Sequence, residues 1–416
     1  MSQSVYGRPH LDDGTTTAPQ IQTGIVAFAS VAVLLLTSYA WQRYGSTRGL
    51  LLLLGVGLGV TLYHARFGFT SAWRQLVTVG QGRGLQAHTL MLASATVLFA
   101  PLLARGTGAN DIALAGFVAP ISLGLFVGAL LFGIGMQLGG ACASGTLYAT
   151  GAGHGPVLIT LASFVGGSTI GARTVHLWWA DGPLGFQLAG PVSFANTRFG
   201  YAGGVAITLS GLAVIAVVAE VIRRRRNAPP IAPVPQASGY ARIIRGSWPL
   251  WVGALGLAGL NALVLYTSGR PWGVTGAFRL WGAKLTAAFG LGQPATWPTY
   301  VNSTALESSI FLDNTSVTNM GIIVGALLAS ALAGTFSFTR NTPRNVVAAH
   351  TIGGILMGYG AAIAFGCNIG AYFSGIASLS LHGWLWGVLA LVGTFVGVRL
   401  RPLFGLANPT PTDSVC

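Results

Sequence analysis

The chain has 416 residues, of which 52% are hydrophobic and only 7% charged, and it carries a net charge of +14. Globular soluble domains carry about 25% charged residues, so this composition excludes an ordinary water-facing fold and implies a protein that spans the lipid bilayer many times. The charge comes from 21 Arg and the single Lys284, scattered between apolar segments; that arrangement reads as a topology signal and predicts no nucleic-acid partner.

In chain order, residues 1–21 form a polar N-terminal tail without the basic and apolar regions of a cleaved leader. Apolar runs follow at Ile25–Tyr39, Gly49–Leu62, Leu90–Leu103, Phe117–Leu131, Val157–Ile170, Ala202–Ile222, Leu250–Tyr266, Met320–Leu332 and Trp384–Val398. A bilayer core takes about 20 mostly apolar residues per helix, so an all-α polytopic protein with about eight to twelve spans is expected, some of them incomplete. The spans divide into 22–222 and 247–402, joined by a basic, Pro-rich linker over 223–246; a polar tail covers 403–416. Arg223–Arg226, Arg242 and Arg245 put the linker in the cytoplasm. Placing Arg43, Arg48, Arg105, Arg340 and Arg344 on the same side gives a consistent alternation, into which Arg399 and Arg401 do not fit.

The chain repeats itself. Phe67-Gly-Phe-Thr-Ser-Ala-Trp-Arg74 matches Trp272-Gly-Val-Thr-Gly-Ala-Phe-Arg279, and the segment Gly133–Gly145, with Cys142, matches Gly358–Gly370, with Cys367. The second offset exceeds the first by about 20 residues, and the polar stretch 293–319 is where an insertion would sit. Two similar repeats are therefore expected, with the substrate site at their interface. On the arginine count both motifs follow spans running out of the cytoplasm, which predicts parallel repeats.

Glycine crowds both cysteine motifs. Such density serves either close helix packing through small residues or broken, re-entrant helices whose freed backbone lines a cavity and offers N–H groups to an anion. A single buried Cys is ordinarily a small hydrophobe; two at matching positions of two repeats point to thiols meeting on a central pathway. Cys416 has no counterpart. Arg66, Arg74, Arg270, Arg279 and Lys284 adjoin apolar stretches and are placed on the outer side, either as a basic funnel for anions or as headgroup anchors.

Among the eight acidic residues only Glu220 falls inside a confident span, near its end, which argues against coupling through a core carboxylate. The histidines show no ligand spacing and read mostly as interfacial or helix-end residues. There is no phosphate-binding loop, nucleophile elbow or zinc signature. A transporter without cofactor or metal is expected, not an enzyme. The rival is a membrane sulfurtransferase or redox protein carrying a cysteine persulfide, which needs a low-pKa thiolate; neither Cys142 nor Cys367 has a basic residue within ten positions.

The segments Phe132-Gly-Ile-Gly-Met, Gly139-Gly-Ala-Cys142-Ala-Ser-Gly145, Gly354-Ile-Leu-Met-Gly-Tyr-Gly-Ala361, Gly366-Cys367-Asn368-Ile-Gly370 and Arg66 with Phe69-Thr-Ser-Ala-Trp-Arg74 resemble the YeeE/YedE family of bacterial inner-membrane proteins, a sulfur-transport family. The likeness extends from about Gly49 to Leu400. It implies membrane spans plus short re-entrant helices in an hourglass, and import of a small sulfur-containing anion such as thiosulfate. The anion would pass between cysteines by transient S–H···S contacts, with Cys142 and Cys367 as the central relay. Gly140, Gly366 and Asn368 flank them, and Arg66, Arg74, Arg270 and Arg279 would collect substrate. The resemblance also suggests a cytoplasmic sulfur-carrier protein as recipient. One departure stands out: the family's first motif commonly has a cysteine where this chain has Gly68, which leaves thiosulfate, a related oxyanion and a selenium species all open as substrates.

Overall fold

The computed structural model describes residues 19–231, 239–301, 303–339 and 341–410. Cys416, Arg340, Pro233 and Pro235 lie outside them. The fold is all-α. Its only sheet among the described residues is a two-stranded antiparallel patch, β1 (Ile121–Ser122) against β2 (Gln187–Ala189), with Ile121 opposite Ala189. Among the described residues, ten helical segments are long and apolar enough to cross a membrane.

The helices run in chain order as α1 (Thr23–Tyr44), α2 (Ser46–His64), α3 (Phe69–Val79), α4 (Arg83–Arg105), α5 (Leu123–Leu138), α6 (Ala143–Gly151), α7 (Gly155–Thr174), α8 (Gly200–Arg225), α9 (Ala241–Arg245), α10 (Leu250–Ser268), α11 (Thr275–Ala288), α12 (Asn314–Ala333), α13 (Arg344–Ile363), α14 (Gly375–Ala377) and α15 (Leu381–Leu400). The span with no counterpart among the apolar runs is α13, which carries Gly353, Gly354, Gly358 and Gly360. Helix α8 continues through Arg225, so the linker's first arginines are still helical.

Packing sorts the helices. Helices α1 and α8 bury few side chains and turn Phe28, Leu34, Leu35, Val214 and Val217 outward, as lipid-facing helices must. The interior is built from α2 on α12, α4 on α10, α5 on α13 and α15, and α7 on α13. Small residues set these distances: a Cβ on Gly353 would lie 2.3 Å from the Gly139 nitrogen and 2.6 Å from the Gly135 carbonyl oxygen. Much of the glycine thus serves close packing.

The direction of the helices differs from the expectation. The Trp248 N–H donates to the His64 carbonyl at 2.9 Å, so α2 ends where α10 begins. The helices carrying the matched motifs therefore run in opposite directions. Gln81 Nε2 donates to the Pro229 carbonyl, which puts the start of α4 beside the linker and its end, Arg105, on the far face. Tyr44 stacks on Phe311 at 5.5 Å, just before α12, so Arg43 and Arg48 are on that far face too. Parallel repeats, and the placing of those three arginines on the linker's side, are thus overturned. Single arginines at helix junctions can anchor to headgroups of either leaflet, so only the linker cluster carries orientation.

Candidate functional site

Two chain reversals make the centre. Helix α5 stops at Leu138, and the nine-residue α6 begins after Cys142. At about 14 Å it is too short to cross a hydrocarbon core of about 30 Å. The turn needs a left-handed residue, and Gly140 supplies it at φ +75°. On the other side α13 stops at Ile363, and a seven-residue π-helical turn, Asn368–Ser374, begins after Cys367. Here the left-handed position falls on Phe365, at φ +63°, in the same register as Gly140; a bulky residue there is strained. Gly366 follows at φ +150°. The outcome is the same: Cys142 caps α6 at φ −87°, ψ −174°, and Cys367 caps the π-helical turn at φ −95°, ψ −173°.

The two capped elements touch. Both thiols are unpaired with each other as a disulfide, buried in one core cluster, and close enough to interact electrostatically. Cys367 Sγ accepts from the Ile369 N–H at 3.4 Å, which leaves its S–H free to donate elsewhere. Cys142 Sγ lies 3.6 Å from Ser144 Oγ. Next to Cys367, Asn368 is fully buried, and neither its Oδ1 nor its Nδ2 has a partner. An unpaired buried amide costs about 1–3 kcal/mol, a cost that a polar ligand removes.

Each face carries a cavity. On the linker face one of about 640 Å³ is lined by Arg66, Gly68, Ser71, Arg83, His88 and Arg242 among others. On the far face one of about 290 Å³ is lined by Arg270, Trp272, Asp313, Asn314 and Thr318 among others. The first motif's arginines and the second's do not share an outer side, as the sequence reading has it; they belong to opposite faces. Arg74 and Arg279 sit further along α3 and α11 and line neither cavity. Arg279 lies within electrostatic reach of Asp313 and Tyr300. Lys284 belongs to no funnel: it donates to the carbonyls of Leu306 and Ser308, both at 2.7 Å, and ties down the long α11–α12 loop.

Several polar residues that the sequence reading passed over hold these segments in place. Asn261 of α10 accepts from the Trp272 N–H at 2.8 Å and donates to Ser374 Oγ, which donates to the Trp272 carbonyl. Asn319 donates to the Val274 carbonyl. On the other side Gln137 donates to the Thr70 carbonyl, and the buried Arg401 donates to the Gln137 carbonyl at 2.6 Å. A polar residue in the middle of an apolar run is the signal that marks Asn261. Of the histidines, His64, His154 and His382 do sit at helix ends, His382 against Ser380 Oγ at 2.8 Å, whereas His88 and His350 are buried within helices, His350 against Thr160 Oγ1 at 2.6 Å. No group of three metal-ligating side chains occurs among the described residues. Glu220 is engaged by Arg223, Arg224 and Gln86.

The sulphur transport family matches residues 64–396, from the first reversal to the end of the last span. The chain belongs to that family. It is 28% identical over 356 residues to the thiosulfate transporter TsuA of Spirochaeta thermophila, covering 83% of this chain and 96% of that protein. It is 25% identical over 355 residues to the thiosulfate transporter TsuA of Escherichia coli, covering 84% and 94%. A probable transporter, YedE of Escherichia coli, is 33% identical over 139 residues, about a third of each chain. This sulphur transport protein is thus a multi-pass bacterial membrane transporter of sulfur anions, and its paired reversals lie inside the matched region.

Proposed function

We propose that the protein imports thiosulfate or a closely similar sulfur anion, and that Cys142 and Cys367 form a relay on a single path between the two cavities. The observation that carries this is the meeting of two cysteines in one N-cap conformation, each at the buried start of a short helix, beside an Asn368 amide with no partner. The terminal sulfur of the anion accepts weak S–H donors in turn, held firmly enough to enter and loosely enough to leave. Asn368 and the backbone freed at Gly140 and Gly366 hold the oxygens. Arg270 gathers the anion in the far-face cavity and Arg66 draws it on in the linker-face cavity; Arg74 and Arg279, outside both, add only to the positive field. The linker's arginines make that face cytoplasmic, where a soluble sulfur-carrier protein would receive the cargo.

The two halves are, on this reading, inverted repeats. Helix contacts come in exchange-related pairs, α2–α12 with α10–α4, α5–α15 with α13–α7, and α1–α12 with α8–α4. These pairs support a boundary between the halves ahead of α8.

The test is growth of a sulfur-starved host on thiosulfate, with uptake measured for the wild type, Cys142→Ala and Cys367→Ala. Uptake lost in both variants with protein levels unchanged is the expected result. Unchanged uptake in either removes the relay. A stable persulfide found on Cys142 by mass spectrometry would replace it with a sulfurtransferase mechanism.

A further inference from the structure

The cavity on the linker face ends against the first turn of α3. Gly68 occupies the N-cap and lines the cavity, and no side chain caps the helix. Beside it His88 of α4, 1% exposed, lines the same cavity. Its ring stacks on Phe69 with centroids 4.4 Å apart and leans on Phe67 at 5.1 Å. Trp73 Nε1 points at His88 Nδ1 from 3.3 Å. An indole N–H only donates, so Nδ1 must carry the lone pair. The ring is therefore neutral, with its proton on Nε2. Nε2 has no partner among the described residues, and it is the nitrogen left to face the cavity.

We infer that the N-terminus of α3 and the Nε2–H of His88 form an anion station on the linker side of the cysteine pair, taking a sulfur oxyanion by its oxygens as it leaves the relay. The inference rests on the transport reading and adds to it a binding residue, His88, and a positioning residue, Trp73. Helix N–H groups and a neutral imidazole N–H hold an oxyanion without a full countercharge, which suits a site that must empty. Trp73 keeps it so: while the indole donates, Nδ1 cannot take the proton that would turn His88 into a trapping cation. The titratable and charged groups around it are His64 of α2, Arg66, Arg83 of α4 and Arg242 of α9 in the cavity lining, with Tyr148 of α6 near Gly68 and Tyr372 of the π-helical turn against Phe69 and Trp73; among the described residues no carboxylate lines the cavity.

Thiosulfate counterflow through the full chain, in right-side-out and inside-out vesicles, reads each face separately. Losing one hydrogen bond to a charged ligand is expected to raise the linker-face half-saturation of His88→Phe about tenfold, with the far-face value within about twofold of wild type. His88→Gln keeps a carbonyl for Trp73 and an N–H for the anion, and restores the linker-face value to within about threefold on the same scale. Trp73→Phe leaves His88 in place but frees its tautomer and gives an intermediate rise. A His88→Phe variant that shifts neither face, or both equally, overturns the station, as does a His88→Gln variant as impaired as His88→Phe. A wild type that moves no thiosulfate from either face removes the transport reading itself, and the station with it.

Discussion

At Asn368 stability and function pull in opposite directions. The side chain is fully buried with both polar atoms unpaired, a feature that folding alone would discard. Asn368→Leu keeps the branched shape, with somewhat larger tips, and removes the unpaired amide. It is expected to melt no lower than wild type, and up to about 1–3 kcal/mol more stably, while thiosulfate uptake falls at least about tenfold. Lower stability with full uptake would show the amide to be structural. Gly68 allows the reverse test. Its φ of −122° suits any residue, and a Cβ there would meet only Ser71 Oγ at 2.8 Å and Tyr148 Oη at 3.7 Å. Gly68→Cys should therefore fold, with Ser71 turning aside, and the thiol it adds to the linker cavity should raise thiosulfate uptake; an unchanged rate would show that two thiols suffice. The two cysteines stand out in the sequence because a repeated spacing singles them out; Asn368, which aligns with Ala143, is singled out only by the motif that carries the family resemblance. His88 and Gln137 are singled out by neither. A lone polar residue in an apolar run does not say which neighbour it will meet, and the Trp73 indole and the Thr70 carbonyl are identified only by folding.

Reversal and close approach govern the helices. The crossing of α5 and α13 fixes how near Cys142 and Cys367 can come, and Gly353 sits where it is tightest, with backbone atoms on every side. Gly353→Ala must push the helices apart. The expected result is a loss of about 1–3 kcal/mol, read as a lower melting temperature, together with a drop in uptake. Gly259→Ala, where nothing lies within 4 Å, is the control and should change neither. If Gly353→Ala matched the control, packing at this crossing would not set the geometry of the centre. The sequence showed that the glycine-rich segments were special without showing which glycines pack and which turn. Gly135 and Gly353 pack against backbone, whereas Gly140 turns the chain, and the equivalent turn falls on Phe365, a residue that composition would never nominate. Helix α13 is as apolar as α10 and α15, but its glycines and its polar first turn break it into pieces too short to stand out as one apolar run.

The direction of the whole molecule is the property least visible in its sequence. Similar segments look alike whether they point up or down, and the junction arginines, at Arg43, Arg48 and Arg105, lie on the face opposite the linker. With ten crossings both described ends fall on one face: Gln22 bonds to Ala331 near the end of α12, and Asn345, just inside α13, bonds to the Phe404 carbonyl. That face also holds Arg223–Arg226, Arg242 and Arg245. The far face has the long loop over residues 289–313, with the acidic residues Glu307 and Asp313. The positive-inside bias therefore puts both ends and the linker in the cytoplasm. Two exposed positions check this in a Cys416→Ser background, where Cys142 and Cys367 stay buried and unreactive. Tyr240→Cys, at a site 90% exposed beside α9, should react with a membrane-impermeant maleimide only after the cells are opened; Leu291→Cys, at a site 77% exposed in the far loop, should react in intact cells. The opposite pattern would invert the molecule. The larger cavity, with His88 and Gly68, would then become the entrance, and the small cavity around Arg270 the exit.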